Sequence, residues 1–226
     1  MIVGTGLIAN AFSSRSLPGD VLLFASGVSN SKEKRTEPFE RELNLIRQTA
    51  ETNPERRIIY FSTASVMDPE LSGEPYVIHK LKCEDWLKNH TLSPLILRVT
   101  NVVGNSGNPA TVFNFFKHCI QQNIRFSLWK RACRNFIDIE DLVSITMQLI
   151  QKNDFGRTLT VANPESYPVM TIVNKIEDAL VKKAAYDELE LGTCFNPLSD
   201  ETLRFYAEND IRFDQDYLDQ LISKYL

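Results

Sequence analysis

No two of the four cysteines form a CxxC pair, which removes the usual zinc spacing. Cys83, Cys119, Cys133 and Cys194 are scattered, and they read as reduced, mostly buried small hydrophobes of a cytoplasmic protein. The N-terminus shows no basic region followed by an apolar run and a cleavage site, so no signal peptide is expected. No apolar stretch approaches the roughly 20 residues that span a bilayer, so no membrane partner is expected. Basic residues are not clustered. The densest spot, Lys32, Lys34 and Arg35, is diluted by Glu33 and Glu37, and the formal net charge is −4. That is not the footprint of a nucleic-acid binder. Internal repeats and low-complexity segments are absent. No metal site is expected: Asp138, Glu140 and Asp141 have no His or further carboxylate nearby and read as acids at a helix N-terminus, where the dipole favours them.

What is present is alternation. The 226 residues are 43% hydrophobic, enough for one large domain, or one domain with a small appendage. A short apolar strand at 1–4 runs into a helix over 7–14. The turn Pro18-Gly19-Asp20 precedes an apolar strand at 21–25. An amphipathic helix over 38–52 places Phe39, Leu43, Ile46 and Ala50 on one face. Strands follow at 57–61 and 95–99, with a helix over 75–89 between them, then a Gly/Asn/Pro loop from Asn101 to Pro109. A helix over 110–122 turns Val112, Phe115, Phe116 and Cys119 inward. Residues 124–139 are strand-like and irregular. A helix over 140–151, a strand at 158–162 and a helix over 169–184 come next, and a last helix is expected at about 214–225. Strand and helix alternating up to residue 100 implies βαβ crossovers and a parallel sheet covered on both faces. The expected division is a core over 1–165 and a contiguous C-terminal cap over 166–226, on the carboxyl ends of the strands, where such sheets bind ligands.

Three motifs could carry chemistry. Gly4-Thr5-Gly6-Leu7-Ile8-Ala9 follows a strand and opens a helix, the context in which small residues let backbone approach a pyrophosphate; otherwise it is a tight turn. Tyr76-Val77-Ile78-His79-Lys80 sets a phenol and an ammonium at i and i+4 on one helix face. The cation favours the phenolate and lowers the phenol's pKa, which suits proton transfer at a carbinol; taken alone, such a pair reads as surface. Ser62-Thr63 ends a buried strand, where a hydroxyl can bond a substrate oxygen or merely cap the strand end. The Phe113, Phe115, Phe116 cluster reads as core packing or cap contact.

Together with Phe61–Val66, Leu97-Arg98-Val99-Thr100-Asn101-Val102-Val103-Gly104 and Arg134–Leu142, these motifs resemble the extended short-chain dehydrogenase/reductases, the nucleotide-sugar epimerases, dehydratases and reductases. The resemblance covers about residues 1–165. It implies an abbreviated Rossmann-like, doubly wound, mostly parallel α/β sheet with a small C-terminal cap. It also implies Thr63, Tyr76 and Lys80 as the catalytic set, and Asn101 with Thr63 facing substrate. NAD or NADP would be held by Gly4, Gly6, Leu7, Ile8, Ala25, Ser26 and Lys80. A nucleotide-sugar substrate and a homodimer are the partners it implies.

This sequence departs from the family pattern. Only residues 15–20 separate the first helix from Val21. If Phe24-Ala25-Ser26-Gly27 is the family's fourth strand and its loop, the second and third strands are gone, along with the residue that reads the adenosine ribose. The alternative makes Val21–Ala25 the second strand, with Ser26, Lys32 and Arg35 holding a 2′-phosphate. The single crossover length from Phe24 to Phe61 favours the first. The stretch from Thr63 to Tyr76 is short for the family, and His79 stands where a small residue is usual, as a helix-face residue. Two functions follow: an NAD(P)-dependent epimerase, dehydratase or reductase of a nucleotide-linked sugar, or a degenerate relative that keeps the fold as a binding or scaffold protein.

Overall fold

The computed structural model describes residues 1–105 and 111–226. In chain order the elements begin β1 (Ile2–Val3), α1 (Leu7–Phe12), β2 (Val21–Phe24), α2 (Thr36–Thr52), β3 (Arg57–Thr63), α3 (Pro75–His90) and β4 (Leu95–Val99). They continue β5 (Asn101–Val103), α4 (Val112–Gln122), β6 (Phe126–Trp129), β7 (Cys133–Arg134), β8 (Phe136–Asp138), α5 (Ile139–Gln151) and β9 (Arg157–Val161). Last come β10 (Tyr167–Pro168), α6 (Val169–Leu180), β11 (Tyr186–Leu189), α7 (Asp200–Glu208) and α8 (Tyr217–Tyr225).

They gather into two compact units. One holds Met1–Thr100 with Ile139–Val161, the other Asn101–Asp138 with Ala162–Leu226. Residues 101–138 therefore group with the C-terminal stretch, an interleaving that a linear division at residue 165 does not describe.

The first unit is built on a five-stranded sheet in the order β1-β2-β3-β4-β9, every pair parallel. A parallel sheet needs both faces covered, so its strands read as apolar runs; all four residues of β2 are buried. Alternate strand residues serve the two faces. Leu22, Phe24, Ile58, Tyr60 and Ile96 join Leu43, Ile46 and Ala50 of α2 and Cys83 and Leu87 of α3 in one core. On the other face Phe61 meets Phe12 of α1 at 6.1 Å between ring centroids, and α1 packs on α5. Arg57 at the head of β3 binds Asp20 in the turn before β2 at 2.5 Å.

Among the described residues β1 pairs with β2 alone. In a sheet of this family the first strand lies between the second and the fourth. Val21–Phe24 lies between β1 and β3, and nothing described pairs with the outer edge of β1, so β2 takes the fourth strand's place. The alternative with a 2′-phosphate site at Lys32 and Arg35 loses its topology, and Arg35 is tied by Nε and Nη2 to Glu33 at 2.9 and 2.7 Å.

In the second unit Asn101–Val103, expected as loop, forms β5 and pairs in parallel with β8. The remainder of that loop and the first residue of the expected helix, 106–110, lie outside the described residues. Phe113 and Phe116 are buried, whereas Phe115 is 41% exposed. β6 pairs in parallel with β11, and β7 antiparallel with β10. Asp138 directly precedes α5, and its carboxylate lies between Lys224 Nζ and the Tyr225 hydroxyl, at 2.9 and 2.8 Å. Burial and that carboxylate push the Tyr225 phenol up to about 12.

The cysteines divide. Cys83 and Cys119 are free and buried, as expected. Cys133 and Cys194 are joined by a disulfide across a sequence separation of 61, which corrects the expectation that all four are reduced thiols. The bridge closes β7 onto the segment before α7, a pairing that depends on where the chain returns and that no spacing announces. A loop of that length loses enough chain entropy for a bridge to contribute up to about 4 kcal/mol. Urea unfolding of the oxidised chain should therefore have a higher midpoint than that of the reduced chain or of Cys133→Ser; coincident curves would show that the bridge constrains nothing that unfolding releases.

Candidate active site

Pro75 begins α3, at the first helical position, where its missing N–H costs nothing. From there Tyr76, His79, Lys80, Cys83, Glu84 and Leu87 fall on one stripe, and all six are buried. The helix thus turns a largely polar face to the sheet, which excludes the surface-pair reading of Tyr76 and Lys80.

The His79 and Lys80 part of that polar face is made tenable by one residue. Glu42 of α2 is 0% exposed. Its Oε1 accepts from Lys80 Nζ at 2.8 Å and from the Tyr60 hydroxyl at 2.7 Å. Its Oε2 accepts from the Val28 N–H at 2.7 Å and faces His79 Nε2 at 2.9 Å. Lys80 Nζ also donates to the Tyr60 hydroxyl at 3.2 Å and lies 5.8 Å from the Tyr76 ring centroid. Burial pushes the Glu42 carboxyl up, but the Lys80 charge and the hydrogen bonds from His79, Lys80 and the Val28 N–H outweigh it and hold the group down at about 2. For Lys80, burial favours loss of the proton, and the Glu42 charge more than reverses this, so the ammonium is retained above the ordinary lysine range. Burial and the same carboxylate push the Cys83 thiol up to about 12, so it is no thiolate nucleophile at neutral pH. Glu42, His79 and Cys83 offer donor atoms within 4.8 Å of one another. The carboxylate already carries the Lys80 cation, however, and a dication there would sit beside an ammonium.

The strand-end hydroxyls are not equivalent. Ser62 donates to Glu84 at 2.6 Å, and Glu84 is held by Arg98 at 2.7 Å. Thr63 accepts only the Ser65 N–H at 3.2 Å, and among the described residues its hydroxyl proton has no acceptor. The turn Ala64–Met67 that follows it packs on α3. The Tyr76 hydroxyl likewise makes no hydrogen bond among the described residues.

The two fingerprint glycines differ. Gly4 has φ +130°, and a Cβ there would fall 2.4 Å from the Ala25 carbonyl oxygen. It is fixed by the close crossing of β1 over the end of β2, where Ala25 N–H bonds the Val3 carbonyl at 2.8 Å. A Cβ on Gly6, the residue before α1, would meet nothing within 4 Å. Leu7 and Ile8 open α1. The Ser26 carbonyl accepts from Arg41 at 3.3 Å. Asn101 belongs to the other unit, where its side-chain amide donates to the Asn135 carbonyl at 2.8 Å.

Glu42, Tyr60 and Gly27 were not among the site residues expected. Glu42 did leave a signal: it follows Phe39 by three and adjoins Leu43, an acid on the apolar face of an amphipathic helix. Buried acids of that kind are seldom without a partner.

The family model described as NAD dependent epimerase/dehydratase matches residues 9–163. The chain belongs to that family. No curated protein sequence matches it. Solved structures share its fold at low identity. The Bacillus cereus UDP-glucuronic acid 4-epimerase in complex with NAD is 18% identical with a TM-score of 0.72, covering 91% of this chain and 71% of that one. The Thermus thermophilus UDP-glucose 4-epimerase complex with NAD is 14% identical at 0.70, covering 96% and 80%. RMD from Pseudomonas aeruginosa, complexed with NADPH, is 15% identical at 0.70, covering 94% and 82%. Among the described residues of this family member, no helix is long and apolar enough to cross a membrane.

The Glu42 charge makes stability depend on acid. Its carboxyl lies below the ordinary glutamate value of 4.5, so its contribution is complete above that pH and is lost as pH falls towards about 2. That is on the order of 3 kcal/mol over the window. Unfolding free energy measured from pH 5 to pH 2 should fall less steeply in Glu42→Gln/Lys80→Met than in the parent; equal slopes would mean that Glu42 titrates normally.

Proposed function

We propose that this chain is an NAD(P)-dependent epimerase, dehydratase or reductase acting on a nucleotide-linked sugar, with Thr63, Tyr76 and Lys80 as its proton-handling set. The observation that carries this is Lys80, kept charged in a dry site by Glu42 and lying one helical turn below the Tyr76 ring. Solved structures that share this fold are complexed with NAD, NADPH or a UDP-sugar, and this reading brings that ligand class to the present chain.

Tyr76 would hold or take the proton at the substrate carbinol oxygen, since its hydroxyl is not spent on the protein. The Lys80 ammonium lies 5.8 Å from the centroid of the Tyr76 ring, one helical turn away on the same face. Thr63 would donate its free hydroxyl to the same oxygen, whereas Ser62 is committed to Glu84. A bound nicotinamide dinucleotide would supply the hydride acceptor or donor. The residues present fit one end of it. A Cβ on Gly6 would meet nothing within 4 Å, and a diphosphate would lie there, held by Gly6, Leu7 and Ile8 at the start of α1. Ala25 and Ser26 would pass the nicotinamide side, and Lys80 keeps one of its three N–H donors after Glu42 and Tyr60 are served. With β1 at the sheet edge, the adenine end lacks the two family strands, so discrimination between NAD and NADP should be weak. A homodimer accords with the family resemblance.

Two substitutions test this without disturbing the fold. Gly6→Val points into open space, so the melting temperature should hold while NADH affinity, read from tryptophan fluorescence, falls at least about tenfold, or 1.4 kcal/mol. Equal affinity would reduce residues 4–9 to a turn and favour the cofactor-free relative. Tyr76→Phe should cut turnover of a panel of nucleotide-linked sugars by about 10²–10⁴; undiminished activity removes Tyr76 from the chemistry.

A further inference from the structure

Glu42 stands on α2, apart from Thr63 of β3 and from Tyr76 and Lys80 of α3, yet four groups converge on it as donors. An ionised carboxylate has two oxygens with about four lone-pair sites. Here Lys80 and Tyr60 fill one oxygen, and Val28 N–H and His79 the other. A glutamine amide could accept at one end only and would present N–H groups to donors at the other.

The loop after β2 is bound into the same knot. Gly27 has no room for a side chain: a Cβ would lie 2.7 Å from Lys80 Nζ and 2.8 Å from Glu42 Oε1. Its φ lies outside the left-handed region, so the glycine is there for clearance. The loop backbone therefore rests directly on the Lys80–Glu42 pair.

We propose that Glu42 is a positioning residue: it touches neither cofactor nor substrate, and it fixes the Lys80 ammonium and the loop at residues 26–28 as one body, so that cation and nicotinamide-side backbone are set together. This rests on the reading of Lys80 as cofactor- and phenol-facing. The groups that face Lys80 are Glu42 from α2, Tyr60 from β3, Tyr76 and Cys83 from its own helix, and the Gly27 backbone. Only Glu42 is anionic at neutral pH, so its removal leaves burial unopposed.

The test uses the full chain with lysine labelled at 13Cε. Lys80 is assigned by the resonance missing from Lys80→Met, and its shift is followed from pH 6 to pH 11 while NADH dissociation constants are measured by tryptophan fluorescence. In the parent, the Lys80 midpoint should lie above the ordinary lysine value. In Glu42→Gln its deprotonation midpoint should fall by about 2 pH units or more, as burial alone dictates. NADH affinity in that variant should fall tenfold or more as pH rises through the new midpoint, towards the value for Lys80→Met. An unchanged midpoint overturns the proposal whatever the cofactor does. A lowered midpoint, with parent, Glu42→Gln and Lys80→Met binding NADH alike or not at all, overturns the reading of Lys80 and leaves Glu42 a counter-ion only. Gly27→Ala keeps every charge and decides the matter should Glu42→Gln fail to fold. Its methyl group must push apart Lys80 Nζ and Glu42 Oε1, at 2.7 and 2.8 Å from it, so the Lys80 resonance should shift and NADH affinity fall, and no change in either overturns the proposal.

Discussion

A carboxylate sealed from water must be paid for by its neighbours, and around Glu42 that requirement organises the first unit. Its four acceptor sites draw donors from α3, β3 and the loop after β2. Removing one partner of a buried pair leaves a stranded charge, at about 3–5 kcal/mol. Replacing a whole pair with apolar residues is often neutral or better, so stability alone does not account for it. What an apolar core cannot do is specify direction. Hydrogen bonds with defined donors and acceptors fix how α2 and α3 seat on the same sheet face and where Lys80 Nζ comes to rest.

A second buried carboxylate repeats the device nearby. Glu84, one turn beyond Lys80, takes Ser62 and Arg98. Between them the two acids decide which polar groups at the strand ends remain available. Ser62 and Tyr60 are consumed, and the hydroxyls of Thr63 and Tyr76 are left free among the described residues. Two residues side by side at the end of β3 thus come to have different uses.

The second unit is held by polar anchors of its own. The Asn135 side chain donates to the carbonyls of Asn163 and Glu165 at 2.7 and 2.9 Å and accepts the Asn163 N–H at 3.2 Å, and Asp138 fastens α8 through Lys224 and Tyr225. The Tyr217 hydroxyl takes the Asp138 N–H at 2.8 Å. With the Cys133–Cys194 bridge, these ties compensate for strands of only two to four residues, which have little ladder to offer.

Much of this was legible in the residues. Apolar runs and helical periods located β2, β3, β4, β9 and the long helices, because burial on both faces of a parallel sheet imposes those patterns directly. Residues 15–20, between the expected first helix and Val21, were too few for two strands and a helix, and among the described residues β1 accordingly stands at the edge. Gly4-x-Gly6 and Tyr76-x-x-x-Lys80 were visible as spacings. Spacing cannot say which glycine is there for packing and which for open space, and only the crossing of β1 over Ala25 separates Gly4 from Gly6. Nor can it show that Lys80 is bound to a carboxylate 38 positions away. Asn101–Val103 became a strand, and Cys133 found Cys194, because of partners brought close by the fold. A local pattern records what a residue needs from solvent or from its own helix or strand. Which distant donor fills a buried acceptor is decided only when the chain has returned to it.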